Sequence, residues 1–139
     1  MIILSLNHPF NTYGAIERLK KELDTYGKLV IGFDFDNTIF DYHNLGGDFS
    51  KIIKILQDCK KLGFTLCLNT SESDEDKLKW KIQYCKHFGI EPDYVNESPL
   101  LPKTKKPFFS LLLDDRAGLE SAYNILFNIV SYANFKSNK

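Results

Sequence analysis

The sequence has few cysteines, no disulfide-like motif and no long hydrophobic run, and each absence excludes a class of protein. Its 139 residues include only three cysteines, which form no C-x-x-C pair and leave one unpaired in any disulfide scheme. We therefore interpret Cys59, Cys67 and Cys85 as small core residues in a reducing compartment. The longest apolar runs are a few residues, as at 111–113, far too short to span a membrane.

The charge balance and composition favour a single soluble domain over residues 1–139. The 18 Lys and Arg residues match 18 Asp and Glu residues, which argues against bulk electrostatic binding to nucleic acid or to a membrane. Residues 1–10 have no basic segment followed by an apolar one, so we expect no signal peptide and a cytoplasmic location. Hydrophobic residues make up 43% of the chain, which is too many for a disordered protein.

Apolar residues follow helical and strand spacing in alternation along the chain. Helical patterns cover 12–26, 49–62, 73–88 and 119–130, and strand patterns cover 28–33, 64–68, 94–95 and 108–113. We expect Ser73 to cap the third helix together with Asp76, residues 1–27 to form an N-terminal helical extension, and 131–139 to form a frayed tail. The alternation predicts an α/β fold: a three-layer, Rossmann-like, mostly parallel sheet with helices on both faces.

Carboxylates and hydroxyls follow three of the predicted strands. They are Asp34, Asp36 and Thr38 after the first, Asn69, Thr70 and Ser71 after the second, and Asp114 and Asp115 after the last. Ligands bind at the carboxyl ends of the strands in such sheets, so we expect these side chains at one rim. Carboxylates held close together need a cation, a shared proton or a basic neighbour, and hard oxygen ligands favour Mg²⁺. One aspartate could then attack a phosphate, and another could protonate the leaving oxygen.

Four short motifs resemble, in the expected order, the signatures of the haloacid dehalogenase (HAD) superfamily. They are Asp34-Phe-Asp36-Asn-Thr38 (D-x-D-x-T), Leu66-Cys-Leu-Asn-Thr70, Lys106-Pro107 and Leu111-Leu-Leu-Asp114-Asp115. The resemblance covers roughly residues 28–130. The run Asp114-Asp115-Arg116 is also similar to the corresponding stretch of short cap-less HAD hydrolases and of the phosphatase domain of phage polynucleotide kinase.

The resemblance implies a Mg²⁺-dependent phosphatase that acts through an aspartyl-phosphate intermediate. Asp34 would be the nucleophile and a metal ligand. Asp36 would be the general acid and base, with its backbone carbonyl on the metal. Asp114 would bind Mg²⁺, with Asp115 beside it or acting through water. Thr70 would hydrogen-bond the phosphoryl group.

The resemblance also implies a catalytic lysine, which would orient the nucleophile and neutralise charge. We assign this role to Lys106, because it precedes Pro107 at a suitable distance from the last strand, with Lys105 as the next choice and Lys103 in the same loop. Ser71, Lys105 and Arg116 are candidates for contacting substrate, although Arg116 could instead pair with an aspartate.

The predicted connections at 39–47 and 90–106 are too short to house a cap domain. We therefore expect an open site, which suits a phosphorylated substrate that is bulky, such as a nucleic-acid end or a phosphoprotein, more than a small shielded ester. A nucleotide is a further candidate substrate. Rival interpretations are a receiver-like or HAD-like module that binds phosphate or nucleotide without turnover, and a phosphotransferase. The oligomeric state stays open.

Overall fold

A parallel sheet of four strands forms the centre of the protein, described here from a computed structural model that covers residues 4–99 and 107–138. The strands are β1 (Val30–Phe33), β2 (Thr65–Leu68), β3 (Tyr94–Val95) and β4 (Leu111–Leu113), in the spatial order β3-β2-β1-β4. The helices are α1 (Thr12–Tyr26), α2 (Ser50–Lys61), α3 (Glu75–His87) and α4 (Leu119–Ser137). The predicted α/β fold is confirmed, and the described residues contain no cap domain. No helix in the described ranges is long and apolar enough to cross a membrane.

The strand register brings polar residues side by side at the carboxyl rim of the sheet. Phe33 at the end of β1 is paired with Leu68 of β2 and with Leu113 of β4. The Asp34 amide donates to the Leu113 carbonyl at 2.9 Å, and the Asn69 amide donates to the Phe33 carbonyl at 2.8 Å. The first residue after each of these strands therefore lies next to the first residue after its neighbour.

The two faces of β1 are packed differently. Ile31 and Phe33 are fully buried in the main hydrophobic core, together with Leu66 and Leu68 of β2. Gly32 points the other way, since side chains alternate along a strand. The Phe109 ring covers the face of β1 toward which Gly32 is oriented. A Cβ at Gly32 would lie only 2.7 Å from this ring, so any larger residue at position 32 would collide with it.

All three cysteines are free and buried. Burial raises the pKa of the Cys59 and Cys85 thiols to about 12. The reactive thiolate form is therefore disfavoured at both positions, which fits a packing role.

Side chains cap the starts of α1 and α3. Asn11 caps α1 by accepting a hydrogen bond from the Gly14 amide at 3.2 Å. Asp74, not Ser73, caps α3, because its carboxylate accepts from the Asp76 and Lys77 amides at 2.9 and 3.0 Å. The predicted pairing of Ser73 with Asp76 is therefore wrong by one residue.

The predicted frayed tail is wrong for residues 131–137, since α4 continues to Ser137. Asp24 near the end of α1 accepts a hydrogen bond from the Tyr132 hydroxyl at 2.9 Å and pairs with Lys136. Lys136 and Tyr132 lower the pKa of the Asp24 carboxyl through these hydrogen bonds. The N-terminal helix thus packs on α4 and holds its last turns.

We expect Gly32→Ala to destabilise the protein by about 1–3 kcal/mol, because the added methyl group collides with the Phe109 ring. Urea unfolding monitored by circular dichroism measures the change. Phe109→Ala in the same chain should recover part of the loss, since it removes the Cγ and Cδ atoms that lie nearest the new methyl group. A simple sum of the two single effects would contradict a direct collision.

Candidate functional site

Three carboxylates meet at the rim between β1 and β4. One oxygen from each of Asp34, Asp114 and Asp115 lies within 4.8 Å of the others. The register explains this meeting, because Asp34 and Asp114 directly follow the paired residues Phe33 and Leu113. Hard oxygen donors of this kind suit Mg²⁺, which binds one or two carboxylates and completes its shell with water and phosphate oxygens.

Burial and the neighbouring carboxylates disfavour the ionised form of Asp34. The pKa of Asp34 is raised to about 7, by burial first, then by the charge of Asp114 and by a hydrogen bond to Asp115, while the Phe35 amide acts in the opposite direction. Without a cation, Asp34 is therefore partly protonated at neutral pH. A divalent cation among the three oxygens would favour the ionised form, which is the form able to act as a nucleophile.

Thr38 joins the two loops that carry this cluster. Its side chain is fully buried, and its hydroxyl donates to the Asp34 carboxylate at 3.5 Å while accepting from the Asp115 amide at 3.1 Å. The turn itself is held separately, since the Phe35 carbonyl accepts from three following amides, including that of Phe40. Thr38 thus fixes the nucleophile candidate relative to the β4 loop.

Asp36 is oriented by a buried lysine. The Lys81 Nζ lies 3.2 Å from the Asp36 carboxylate and 3.3 Å from that of Glu72, and its side chain is only 8% exposed. The same ammonium lies 5.2 Å from the centre of the Phe35 ring. Burying a lysine is costly unless it is paired, and here two carboxylates and a ring face supply the compensation.

Lys81 is the functional candidate that sequence reasoning missed. A signal existed, because Lys81 follows Leu78 by three residues and precedes Cys85 by four, which places it on the core-facing side of α3. Glu72, its second partner, accepts a hydrogen bond from the Asp74 amide at 3.3 Å. This hydrogen bond is the largest cause that lowers the pKa of Glu72, and the hydrogen bond from Lys81 lowers it further. Glu72 therefore stays ionised beside the lysine.

Two other predicted residues, Thr70 and Arg116, lie at or near the same rim. Thr70 follows β2, where its amide donates to the Asn96 side chain at 2.8 Å and its hydroxyl accepts from the Glu72 amide at 3.3 Å. Arg116 is exposed, and its amide donates to the Asp114 carboxylate at 2.9 Å. Lys103, Lys105 and Lys106 lie outside the described residues, so the choice among them stays a prediction.

A groove of about 540 Å³ is lined by Asp36 and by side chains of α3. Its lining combines carboxylates, lysines and aromatic rings: Asp36, Phe40, Tyr42, Ser71, Glu72, Lys77, Trp80 and Lys81. This volume is in the range of small-molecule binding sites. Ser71, predicted as a substrate contact, lies in the groove.

Comparison with known proteins defines the fold class. No protein-family model matches the chain, and no curated protein matches it. Among solved structures, a conserved protein from Bacteroides thetaiotaomicron superposes with a TM-score of 0.60 and 22% sequence identity, covering 76% of this chain and 91% of that one. At this identity the likeness shows a shared Rossmann-like α/β fold.

The raised pKa of Asp34 predicts the pH dependence of stability in metal-free protein. The unfolded chain ionises this carboxyl near its ordinary value of 3.8, whereas the folded chain holds the proton to about pH 7, so the wild type loses stability as pH rises between these values. Asp34→Asn cannot ionise. Its melting temperature should exceed that of the wild type by a few degrees at pH 8 with a chelator present, and the difference should shrink toward pH 4.

Asp41→Asn is a control of opposite sign. Its carboxylate accepts from the Leu45, Gly46 and Gly47 amides at 3.0, 2.7 and 3.1 Å, and these bonds, the Leu45 one first, lower its pKa. This variant should melt below the wild type at pH 8 and approach it as pH falls through the folded-state pKa of Asp41. Parallel pH curves for wild type and Asp34→Asn would contradict the raised pKa.

Proposed function

We propose that the protein is a Mg²⁺-dependent phosphomonoester hydrolase of the HAD superfamily that acts through an aspartyl-phosphate intermediate. The observation that carries this proposal is the meeting of the Asp34, Asp114 and Asp115 carboxylates within 4.8 Å, next to the lysine-held Asp36. The motif order that resembles the HAD superfamily supports the same function. The strand register supports it too, since it places the nucleophile candidate beside the predicted metal ligands.

The carboxylate oxygens of the cluster fit Mg²⁺, the metal ion that the HAD resemblance implies. Asp34, Asp114 and Asp115 would hold Mg²⁺ through their oxygens, with no nitrogen or sulfur ligand in the cluster. When bound, the ion would offset the negative charge of the phosphate and of the three carboxylates.

The chemistry divides into two displacements at phosphorus. An Asp34 carboxylate oxygen attacks the phosphorus, and the ester P–O bond breaks with its electron pair going to the leaving oxygen, which takes the proton of Asp36. Asp36, now a carboxylate, accepts a proton from water while the water oxygen attacks the phosphorus. The bond to Asp34 then breaks, which releases phosphate and regenerates both side chains.

Lys81 positions Asp36 for both steps. Its ammonium contacts the Asp36 carboxylate on one side and Glu72 on the other, so Asp36 cannot swing freely away from the rim. The Lys81 charge also offsets part of the negative field that an arriving phosphate meets. Lys106 keeps the role that the HAD resemblance implies, which is to orient the nucleophile and neutralise charge.

Purified protein with Mg²⁺ should hydrolyse an aryl phosphate, and Asp34→Asn should reduce the rate to background, because the amide is a poor nucleophile. Released phosphate is the readout. Asp58→Asn, on the last turn of α2, is the matched control and should retain wild-type activity.

Equal activity of Asp34→Asn and the wild type would overturn the nucleophile assignment. A stable phosphoryl group on the wild-type protein without release of phosphate would instead favour a receiver-like module. Transfer of the phosphoryl group to an added alcohol in preference to water would favour a phosphotransferase.

Lys81→Met should slow the hydrolysis of an alkyl phosphate by up to about 100-fold, and that of a nitrophenyl phosphate by much less. The reason is that a poor leaving group depends on protonation by a well-placed Asp36, whereas nitrophenolate leaves without it. Lys79→Met, at an exposed position of the same helix, is the control. A similar loss with both substrates would argue against a positioning role for Lys81, provided that thermal melts show both variants folded.

A further inference from the structure

The groove beside Asp36 has an aromatic wall that hydrolysis of a phosphate ester does not require. Trp80 of α3 and Tyr42 of the loop after β1 line it while remaining 50% and 63% exposed. Phe40 also lines the groove, and its ring contacts Trp80. Large aromatic side chains with half their surface in solvent, in a groove that a proposed catalytic acid also lines, indicate a contact for a flat part of the substrate.

Three aromatic rings contact Trp80 and hold its side chain in place. Its ring meets Phe40 edge-on with centroids 5.3 Å apart, meets Phe35 edge-on at 5.8 Å, and packs on Tyr84 at 5.6 Å. A ring fixed by three others loses little conformational entropy when a ligand stacks on its free side. The exposed half of Trp80 is therefore a preformed platform.

Cationic side chains share this side of α3. Lys77 precedes Lys81 by one helical turn and Trp80 by three residues, and all three line the groove. Stacking rings flanked by lysines are the combination that binds nucleic-acid bases together with their phosphates. Glu72 is already paired with Lys81, which leaves the exposed Lys77 as a cation for an approaching anion.

The position of the wall relative to Asp36 identifies which part of the substrate it would touch. Asp36 protonates the leaving oxygen in the proposed reaction, so groups beyond Asp36 belong to the leaving alcohol. The ring of a phosphotyrosine is bonded directly to that oxygen and would lie at Asp36 itself. In a nucleotide the sugar separates the phosphoester from the base, and the groove that Asp36 and Trp80 both line, with a volume of about 540 Å³, has room for a sugar and a base.

We propose that this groove binds the nucleobase of a phosphorylated nucleotide unit, with the base stacked on Trp80 and the phosphate at the carboxylate rim. The inference rests on the proposed phosphatase function and names its substrate class. The unit can be a free mononucleotide or the phosphorylated end of a strand, since both present a base on a phosphorylated sugar.

Trp80 is the single tryptophan of the chain, so its fluorescence reports on the groove without any catalytic step. Adenosine should quench it saturably in the wild-type protein, whereas ribose should not. Linear, unsaturable quenching by adenosine would overturn the base site. Saturable quenching in a protein that hydrolyses no phosphate ester would support the base site while rejecting the proposed function.

Kinetics test the same site by substrate comparison. Trp80→Leu should lower kcat/KM for a nucleoside monophosphate by about 5- to 150-fold, which corresponds to the usual contribution of one stacked base, and should leave ribose 5-phosphate unchanged. Trp80→Phe should retain most of the nucleotide activity, because it keeps a ring. Phe127→Leu, at an exposed position of α4, is the control.

Tyr42→Leu tests the aromatic side of the groove independently of α3, since Tyr42 lies in an exposed loop. It should reduce activity on the nucleotide and leave activity on ribose 5-phosphate unchanged. Equal losses for nucleotide and ribose phosphate in the Trp80 and Tyr42 variants would overturn the proposal, as would a wild-type preference for phosphopeptides. A lower KM for a 5′- or 3′-phosphorylated oligonucleotide than for the mononucleotide would support the proposal and assign the strand end as the source.

Discussion

Parallel pairing of β1 with both β2 and β4 is the constraint on which the rest of the site depends. The pairing is fixed by buried side chains such as Phe33 and Leu113, and a shift by one residue would turn these side chains to the opposite face. Asp34 and Asp114 are therefore held next to each other at the rim whatever their mutual repulsion. The folded chain accepts this cost in its metal-free form by raising the pKa of Asp34. A bound divalent cation would relieve the repulsion between these carboxylates without moving the strands.

The acidic rim and the lysine on α3 form two linked charge groups. Asp34 belongs to the cluster with Asp114 and Asp115, whereas Asp36, two residues later, faces Lys81. The tight turn around the Phe35 carbonyl separates the two carboxylates. This separation matters for the proposed chemistry, because Asp34 lies among carboxylates where a bound cation would keep it ionised, whereas Asp36 lies beside an ammonium that orients it. One short segment thus supplies two carboxylates with different surroundings.

Elements with a long apolar stripe and local caps could be predicted from the sequence, and features that depend on distant partners could not. α1 begins and ends as expected because Asn11 and Gly27 act on their own helix. The last turns of α4 were missed because their support comes from Asp24, 108 residues from Tyr132. Lys81 was missed for the same reason, since Asp36 lies 45 residues away. The aspartates at the strand ends could be named in advance because a parallel sheet gathers such residues at one rim by topology alone.

The lack of a cap in the described residues bears directly on how a substrate would be recognised. In an open α/β site, the surface around the rim must itself contact the leaving group, and the first turns of α3 lie at that position. Lys77, Trp80 and Lys81 are spaced so that one helix face supplies a cation, a ring and the partner of Asp36. A base stacked on Trp80 would fix the sugar and its ester oxygen relative to Asp36, so binding energy remote from phosphorus would improve the placement of the reacting atoms. Recognition and proton transfer would then be coupled through a single helix, which gives an open site a means of selecting its substrate.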